Sequence, residues 1–262
     1  MKGVYARVSL VQSAHPSYLA VVPAYNEAAT VDRVVREIRT RAPAFDVLVV
    51  DDGSTDASGP SAQAAGARVL RHPFNLGIGG AVQSGFVFAF DNDYDYMVQV
   101  DGDGQHLPSE LPKLFAAMEE DPGLDMVCGS RFLTDQGYPA PVSRRTGIHI
   151  FAFLLSRIVG QRVSDPTSGF RLYNRSGIAL FARDYPHDYP EVEAVLLVHF
   201  HRLRMGEVAV TMHTRGGGVS SIRSGKSVYY MIKVLLAISV GLVRARPVPE
   251  PGEDNPVATH GI

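Results

Sequence analysis

The stretch FDVLVVDDGS, residues 45–54, decides the fold. Its centre is an unbroken apolar, mostly β-branched run that stops abruptly in two aspartates, a glycine and a serine. A strand with one wet face would alternate apolar and polar residues. A continuous apolar run asks to be covered on both faces, as the strands of a parallel sheet are. Working outward, the design repeats. YLAVVPAYNE (18–27) and YMVQVDGD (96–103) read as further strands, and ARVLRH (67–72) as a shorter one. Between them ATVDRVVREIRTR (29–41) places Val31, Val34, Val35 and Ile38 on one helical face. Helices are also expected near 57–65, over GGAVQSGFVFAF (79–90) and from Pro108 to Glu120. This alternation implies an α/β fold, a Rossmann-like, mainly parallel sheet flanked by helices, with right-handed crossovers.

The second half is less regular. MVCGSRF (126–132) reads as a strand and RRTGIHIFAFLLSRIVG (144–160) as a helix. DPTSGFRLY (165–173) reads as a turn and an extended piece, EVEAVLLVHFHRLRM (191–205) as a helix, and GEVAVTMHTR (206–215) as a strand. The expected organisation is an extension over 1–17, a main domain over 18–222, an apolar helix within 223–246 and a tail over 247–262. The tail carries four prolines and no periodicity, which is the pattern of disorder.

With 262 residues, 45% of them hydrophobic, the chain has ample material for a core. A net charge of −2 argues against a general nucleic-acid binder. The single cysteine, Cys128, cannot form an intramolecular disulfide, and residues 1–17 lack the apolar core of a signal peptide. A cytoplasmic protein is the expectation.

In an open parallel sheet, ligands bind beyond the carboxyl ends of the strands. The unusual residues gather there. The first strand ends in Pro23-Ala24-Tyr25-Asn26-Glu27 and the second in Asp51-Asp52-Gly53-Ser54; the third runs into Asn75-Leu76-Gly77 and the fourth into Asp101-Gly102-Asp103. Each alone is ordinary turn chemistry; together, on one sheet edge, they describe a site. The glycines at 77–80 do not fit G-x-G-x-x-G, which disfavours a dinucleotide-binding enzyme. They suit close approach to a nucleotide and tight helix packing equally well. Asp101 and Asp103, two apart, would project from one face if extended, and paired carboxylates call for a cation. Hard oxygen ligands favour Mg²⁺ or Mn²⁺.

Six ordered stretches, VVPAYNE, VLVVDDGSTD, NLGIGGAVQSG, VQVDGDGQH, GSRF and DPTSGFRLY, resemble the family 2 glycosyltransferases of the GT-A fold. Within them the resemblance is to the dolichyl-phosphate mannose synthase-like branch, whose members load sugars onto polyprenyl phosphates. It covers roughly residues 18–222. It implies that Pro23, Tyr25, Glu27 and Asp52 line a nucleoside pocket continued by Asn75 and Gly77. It implies that Asp101, Asp103 and Gln105 surround a metal and the donor diphosphate, with Asp103 as the foremost ligand. It further implies that Arg131 and Arg144 or Arg145 bind an acceptor phosphate. Ile78 stands where many relatives carry a basic residue, which puts a side-chain phosphate contact from that loop in doubt.

The activity implied is metal-dependent, inverting transfer of a hexose from a nucleotide-diphosphate sugar of GDP-mannose or UDP-glucose type to a polyprenyl phosphate. An anionic acceptor needs cations rather than a base, and Arg131, Arg144, Arg145 and Arg171 are candidates, since guanidinium binds phosphate bidentately. A hydroxyl acceptor would instead need a carboxylate base. Asp165 is best placed for that, with Glu191 or Glu193 in reserve, although Asp before Pro is also a routine turn starter. A nucleotidyltransferase would share the sheet and the acidic ligands, but its early basic glycine-rich loop is absent from the sequence.

The segment SVYYMIKVLLAISVGLV (227–243) would span roughly 25 Å as a helix, short of a comfortable membrane crossing. Lys226, Lys233 and Arg244 fall on one face of it, which suits a helix lying in the membrane interface with basic groups toward lipid headgroups. The expectation is peripheral association with the cytoplasmic face of a membrane. The same apolar surface suits a core, a homo-oligomer interface or a membrane-protein partner.

Overall fold

In the computed structural model, which describes residues 16–134, 142–186 and 190–213, the apolar runs form strands as their patterning asks. The parallel neighbours are β1 (Tyr18–Ala24), β2 (Phe45–Asp51), β3 (Arg68–Arg71) and β4 (Tyr96–Gln99). With β5 (Met126–Ser130), β6 (Arg171–Tyr173) and β7 (Met205–Ala209) they make one seven-stranded sheet in the order β3-β2-β1-β4-β6-β5-β7. β6 runs antiparallel to both β4 and β5, whereas β5 and β7 are parallel.

Period-two alternation sends successive residues of one strand to opposite faces, and here both faces are core. Ala20, Val22 and Ala24 of β1 join a buried cluster with α1 (Val31–Arg41) and α4 (Leu111–Glu120). Leu19 and Val21 join another with α3 (Gly77–Asp91), α6 (Arg175–Arg183) and α7 (Pro190–Phe200). α2 (Ser58–Ala64) and α5 (Val142–Val159) complete the helices. The stripe Val31, Val34, Val35 and Ile38 is buried as its spacing predicts. Each such side chain contributes roughly 1.5–3 kcal/mol of transfer free energy.

Several bounds differ from expectation for local reasons. β4 ends at Gln99 because the chain turns at Asp101–Gly104 instead of extending to Asp103. The two acids are therefore presented by a turn, not by strand alternation. α7 stops at Phe200, and Arg202, at φ 58°, reverses the chain into β7. α6 has no counterpart in the sequence reading. Asn174 caps it, accepting from the Gly177 N–H at 3.0 Å, and Ile178 and Phe181 pin it to the sheet.

The expected apolar helix within 223–246 and the tail over 247–262 lie outside the described residues. So does nearly all of the 1–17 extension. Among the described residues, no helix is long and apolar enough to cross a membrane.

Candidate active site at the carboxyl edge of the sheet

The parallel strands bring their carboxyl ends to one edge. Because β6 runs the other way, it is the start of β6 that reaches this edge, and the preceding turn, Asp165–Gly169, arrives with it. One crevice thereby receives chain from all seven strands, after β1 to β5 and β7 and before β6.

On the β1–β3 side, backbone and side chains are tied across loops. Asn26, at φ 56°, accepts the Thr55 N–H at 2.9 Å through its Oδ1 and donates its own N–H to Ser54 Oγ at 3.0 Å. The Glu27 N–H donates to Ser58 Oγ at 2.8 Å. Tyr25 is 46% exposed, its ring presented at the rim, while Pro23 is buried in β1. Asp52 is 3% exposed, and both its oxygens are engaged. Oδ1 meets His72 Nδ1 at 2.7 Å and the Leu76 N–H at 2.9 Å, and Oδ2 accepts the Gly77 N–H at 2.8 Å. Asn75 Oδ1 also accepts the Gly77 N–H, at 3.0 Å. Gly77 sits at φ 86°, a left-handed conformation that glycine adopts without strain. Asp52 thus shapes the glycine loop from below, and His72, hydrogen-bonded through Nε2 to Ser84 Oγ at 2.9 Å, passes that restraint to α3.

The acids after β4 occupy the middle. Asp103 is 9% exposed and accepts the Gln105 N–H at 3.0 Å and the Gln105 amide Nε2. Asp101 is more open, its side chain 32% exposed, with Gln99 Nε2 donating to its Oδ1 at 3.2 Å. Thr30 Oγ donates to the Gly102 carbonyl at 2.7 Å, and the Gly102 N–H reaches the Pro23 carbonyl at 3.3 Å. A Cβ on Gly102 would stand 3.0 Å from that carbonyl oxygen, so the small residue between the acids lets the turn lie against β1. Among the described residues, no three His, Cys, Asp or Glu side chains gather as a complete metal cage. Two carboxylates with a neighbouring amide fit a hard divalent ion of the Mg²⁺ or Mn²⁺ kind, which takes one or two carboxylates and completes its shell with water and phosphate oxygens.

The β5–β6 side is built differently. Arg131, 8% exposed, grips Asp165, 0% exposed, through two parallel contacts, Nε to Oδ2 at 2.7 Å and Nη2 to Oδ1 at 2.8 Å. The Arg131 N–H adds a third contact at 3.1 Å, and Nη2 also donates to Thr167 Oγ at 2.8 Å. Burial works to raise the Asp165 carboxyl, yet the hydrogen bonds and charge of Arg131, helped by Thr167, outweigh it and hold the group below the usual carboxylate range. Glu207 of β7 closes the turn from beneath, accepting the Ser164 N–H at 2.9 Å and the Asp165 N–H at 3.2 Å.

Arg171 has a different place from the one expected. It is 1% exposed, and its guanidinium donates to the carbonyls of Ser168 at 2.8 Å, Glu191 at 2.6 Å and Pro166 at 3.4 Å. It braces the turn against the start of α7 and drops out of the acceptor-phosphate set. Glu191 lies in the first turn of α7; burial pushes its carboxyl up, and the charge of Asp101 adds to that. Arg144 and Arg145 fall on the first turn of α5, where the side chains lie outside the described set. His106 closes the stretch VQVDGDGQH, while His72, Thr30 and Glu207 lie outside the residues singled out for the site; the parts of all four emerge only from the contacts.

A family model described as glycosyl transferase family 2 matches residues 19–181. The undecaprenyl-phosphate mannosyltransferase of Micrococcus luteus is 34% identical over 161 residues, covering 59% of this chain and 65% of that protein. The polyprenol monophosphomannose synthase of Mycolicibacterium smegmatis is 30% identical over 229 residues, covering 82% of this chain and 84% of that protein. Among solved structures, the glucosyl-3-phosphoglycerate synthase of Mycobacterium tuberculosis in complex with Mn²⁺, UDP and glucosyl-3-phosphoglycerate superposes with a TM-score of 0.67 at 21% identity, covering 87% of this chain and 80% of that one. The chain belongs to glycosyl transferase family 2 and is a glycosyltransferase of the GT-A fold.

Proposed function

We propose that the protein transfers a hexose from a nucleotide-diphosphate sugar to a polyprenyl phosphate, with inversion at the anomeric carbon and with a divalent cation held by Asp101 and Asp103. The observation that carries this reading is the position of those two acids. They stand at the end of a central strand, between the loops of Tyr25, Glu27, Asp52, Asn75 and Gly77 on one side and the Arg131–Asp165 pair on the other. A nucleoside suits the first side and an anionic acceptor the second, and the diphosphate would lie between them.

The chemistry needs little from the protein beyond placement and charge. A nucleotide sugar already has a good leaving group, and a divalent ion, when bound, acts as a Lewis acid that neutralises charge on the departing diphosphate. Gln105, tied to Asp103, keeps that carboxylate in one orientation. Arg131, fixed in one orientation by Asp165, holds a guanidinium on the β5 side, where an acceptor phosphate must sit beside another anion. In-line attack by the phosphate oxygen forms the new glycosidic bond as the sugar–diphosphate bond breaks, and no proton has to be removed.

The state of Asp165 supports a phosphate rather than a hydroxyl acceptor. A general base needs an accessible oxygen and a pKa near the working pH. Asp165 has no exposure, is gripped by Arg131 and is held below the usual range. Loss of activity in Asp165→Asn would therefore not identify a base, because it would also release Arg131. The names of the relatives, undecaprenyl-phosphate mannosyltransferase and polyprenol monophosphomannose synthase, support the same acceptor class. A lipid acceptor in turn supports work at the cytoplasmic face of a membrane, with the 223–246 segment as the surface-seeking element. Mn²⁺ in the same-fold synthase complex is in keeping with the metal reading.

The test is a matrix of GDP-, UDP- and dTDP-hexoses with Mn²⁺ or Mg²⁺, each offered undecaprenyl phosphate or free undecaprenol, with products read by mass spectrometry. A glycosyl phosphoryl lipid formed only from the phosphate is expected. Transfer to the free alcohol, or pyrophosphate release from a nucleoside triphosphate instead, would overturn the proposal.

A further inference from the structure

His106 lies outside every role described so far, although it is 4% exposed and sits one residue beyond Gln105. Its Nδ1 accepts the backbone N–H of Asp101 at 3.0 Å. A ring nitrogen that accepts carries no proton, so in the neutral imidazole the hydrogen is on Nε2. That Nε2 lies 3.5 Å from Asp101 Oδ2, so one ring touches both the main chain and the carboxylate of the same residue. The ring cannot turn away easily. It stacks on Phe170 with centroids 5.0 Å apart and planes 25° apart, and the backbone of His106 bridges to Met212. The next link is close by, the His213 N–H donating to the Gln105 carbonyl at 2.9 Å.

We propose that His106 is the positioning residue of the acidic turn: by accepting the Asp101 N–H from a ring clamped on Phe170, it fixes the backbone from which Asp101 and Asp103 present their carboxylates to a divalent cation. The turn needs such a support. The assigned strand ends at Gln99, and beyond it only the Val100 N–H to the Val21 carbonyl at 3.0 Å and the longer Gly102 N–H to the Pro23 carbonyl at 3.3 Å tie the chain to β1, with nothing from β1 on the Asp101 N–H between them. Its other ties, from Thr30 to the Gly102 carbonyl and from Gly102 to Pro23, hold the middle of the turn and not its first acid. Gln99 steadies one oxygen of Asp101 and the Gly104 N–H reaches its carbonyl at 3.5 Å, which leaves the Asp101 N–H to His106. Loss of a group that orients a metal-binding residue from behind typically costs about 10- to 100-fold in metal affinity.

This inference rests on the metal reading above, and the experiment separates the two. Mn²⁺ is titrated into the full chain with GDP or UDP present, and the free ion is counted by its electron paramagnetic resonance signal. Circular dichroism and thermal midpoints are recorded alongside, and all titrations are made well below the midpoint of each variant. Asparagine places its Oδ1 where histidine has Nδ1, so His106→Asn keeps an acceptor for the Asp101 N–H. It should bind Mn²⁺ as the wild type does, even if lost ring stacking lowers its thermal midpoint. His106→Ala should lose roughly 10- to 100-fold in Mn²⁺ affinity. His106→Leu, which keeps apolar bulk against Phe170, should lose as much and guards against a variant that fails to fold. Wild-type affinity in a folded His106→Leu, or an affinity in His106→Asn as poor as in His106→Leu, overturns the positioning role. If Asp101→Asn and Asp103→Asn also bind Mn²⁺ like the wild type, the metal reading itself has failed.

Discussion

The two sides of the crevice are built by opposite means. On the β1–β4 side, polar groups are held mostly by main-chain N–H groups of neighbouring loops. Asp52 takes two from the glycine loop and Asn26 takes one from Thr55 in the loop after β2, while the Glu27 N–H donates to Ser58 at the start of α2. On the β5–β6 side, the central feature is a buried ion pair, Arg131–Asp165, closed from below by a second carboxylate, Glu207. The first arrangement gives a rim of shaped loops with an open acid, Asp101, at its centre. The second gives one strongly restrained guanidinium, its charge matched by Asp165. On the proposed reading, the shaped loops would take the nucleotide through many modest contacts and the fixed guanidinium of Arg131 would face the acceptor phosphate.

The largest expected effect tests the middle of the comparison. Asp103→Ala should abolish sugar transfer while far-UV circular dichroism stays that of the wild type. Full transfer by a folded Asp103→Ala variant would remove the acidic turn from the mechanism.

Next is the ion pair. Arg131→Ala leaves Asp165 buried without its guanidinium, so the loss of stability in urea denaturation should be about 3–5 kcal/mol. The pair also predicts a pH dependence with a definite sign. The ordinary value for Asp165 is 3.8, and its folded value is lower. Its contribution is therefore whole above that ordinary value and is lost as pH falls through the folded one. Asp165→Asn should then be less stable at neutral pH, with a stability profile flatter than wild type on the acid side. An unchanged acid limb would mean that the pair contributes nothing net.

Smaller effects separate the supports. Glu207→Ala strips the acceptor from the Ser164 and Asp165 N–H groups and should cost about 1–3 kcal/mol. Its consequence for activity should appear in the acceptor KM. Thr30→Val removes one hydrogen bond to the Gly102 carbonyl and should cost about 0.5–1.5 kcal/mol. Its kinetic trace should fall on the donor side, and the reverse assignment of these two KM effects would break the division.

The same contrast explains what could be read from the sequence. The β1–β4 side is legible because each polar cluster directly follows an apolar run, so strand end and functional residue are neighbours in the chain. The β5–β6 side depends on partners 34 residues apart for Arg131 and Asp165, and 43 apart for Ser164 and Glu207. No local spacing encodes those distances. The antiparallel course of β6 is what joins them, and a three-residue strand gives little signal of its direction. Arg171 shows the limit most plainly. Its place in DPTSGFRLY suggests a phosphate ligand, while the fold buries its guanidinium among carbonyls. His106 closes VQVDGDGQH and His72 closes ARVLRH, but nothing in either stretch encodes the contacts that give each ring its part.

The most direct measurement of the two-sided account is steady-state kinetics of Arg131→Lys with nucleotide sugar and polyprenyl phosphate varied in turn. Lysine keeps the charge but loses the planar fork that grips Asp165. The account predicts a raised acceptor KM with the donor KM unchanged. A donor KM that rises in step with the acceptor KM, or no change in either, would contradict it.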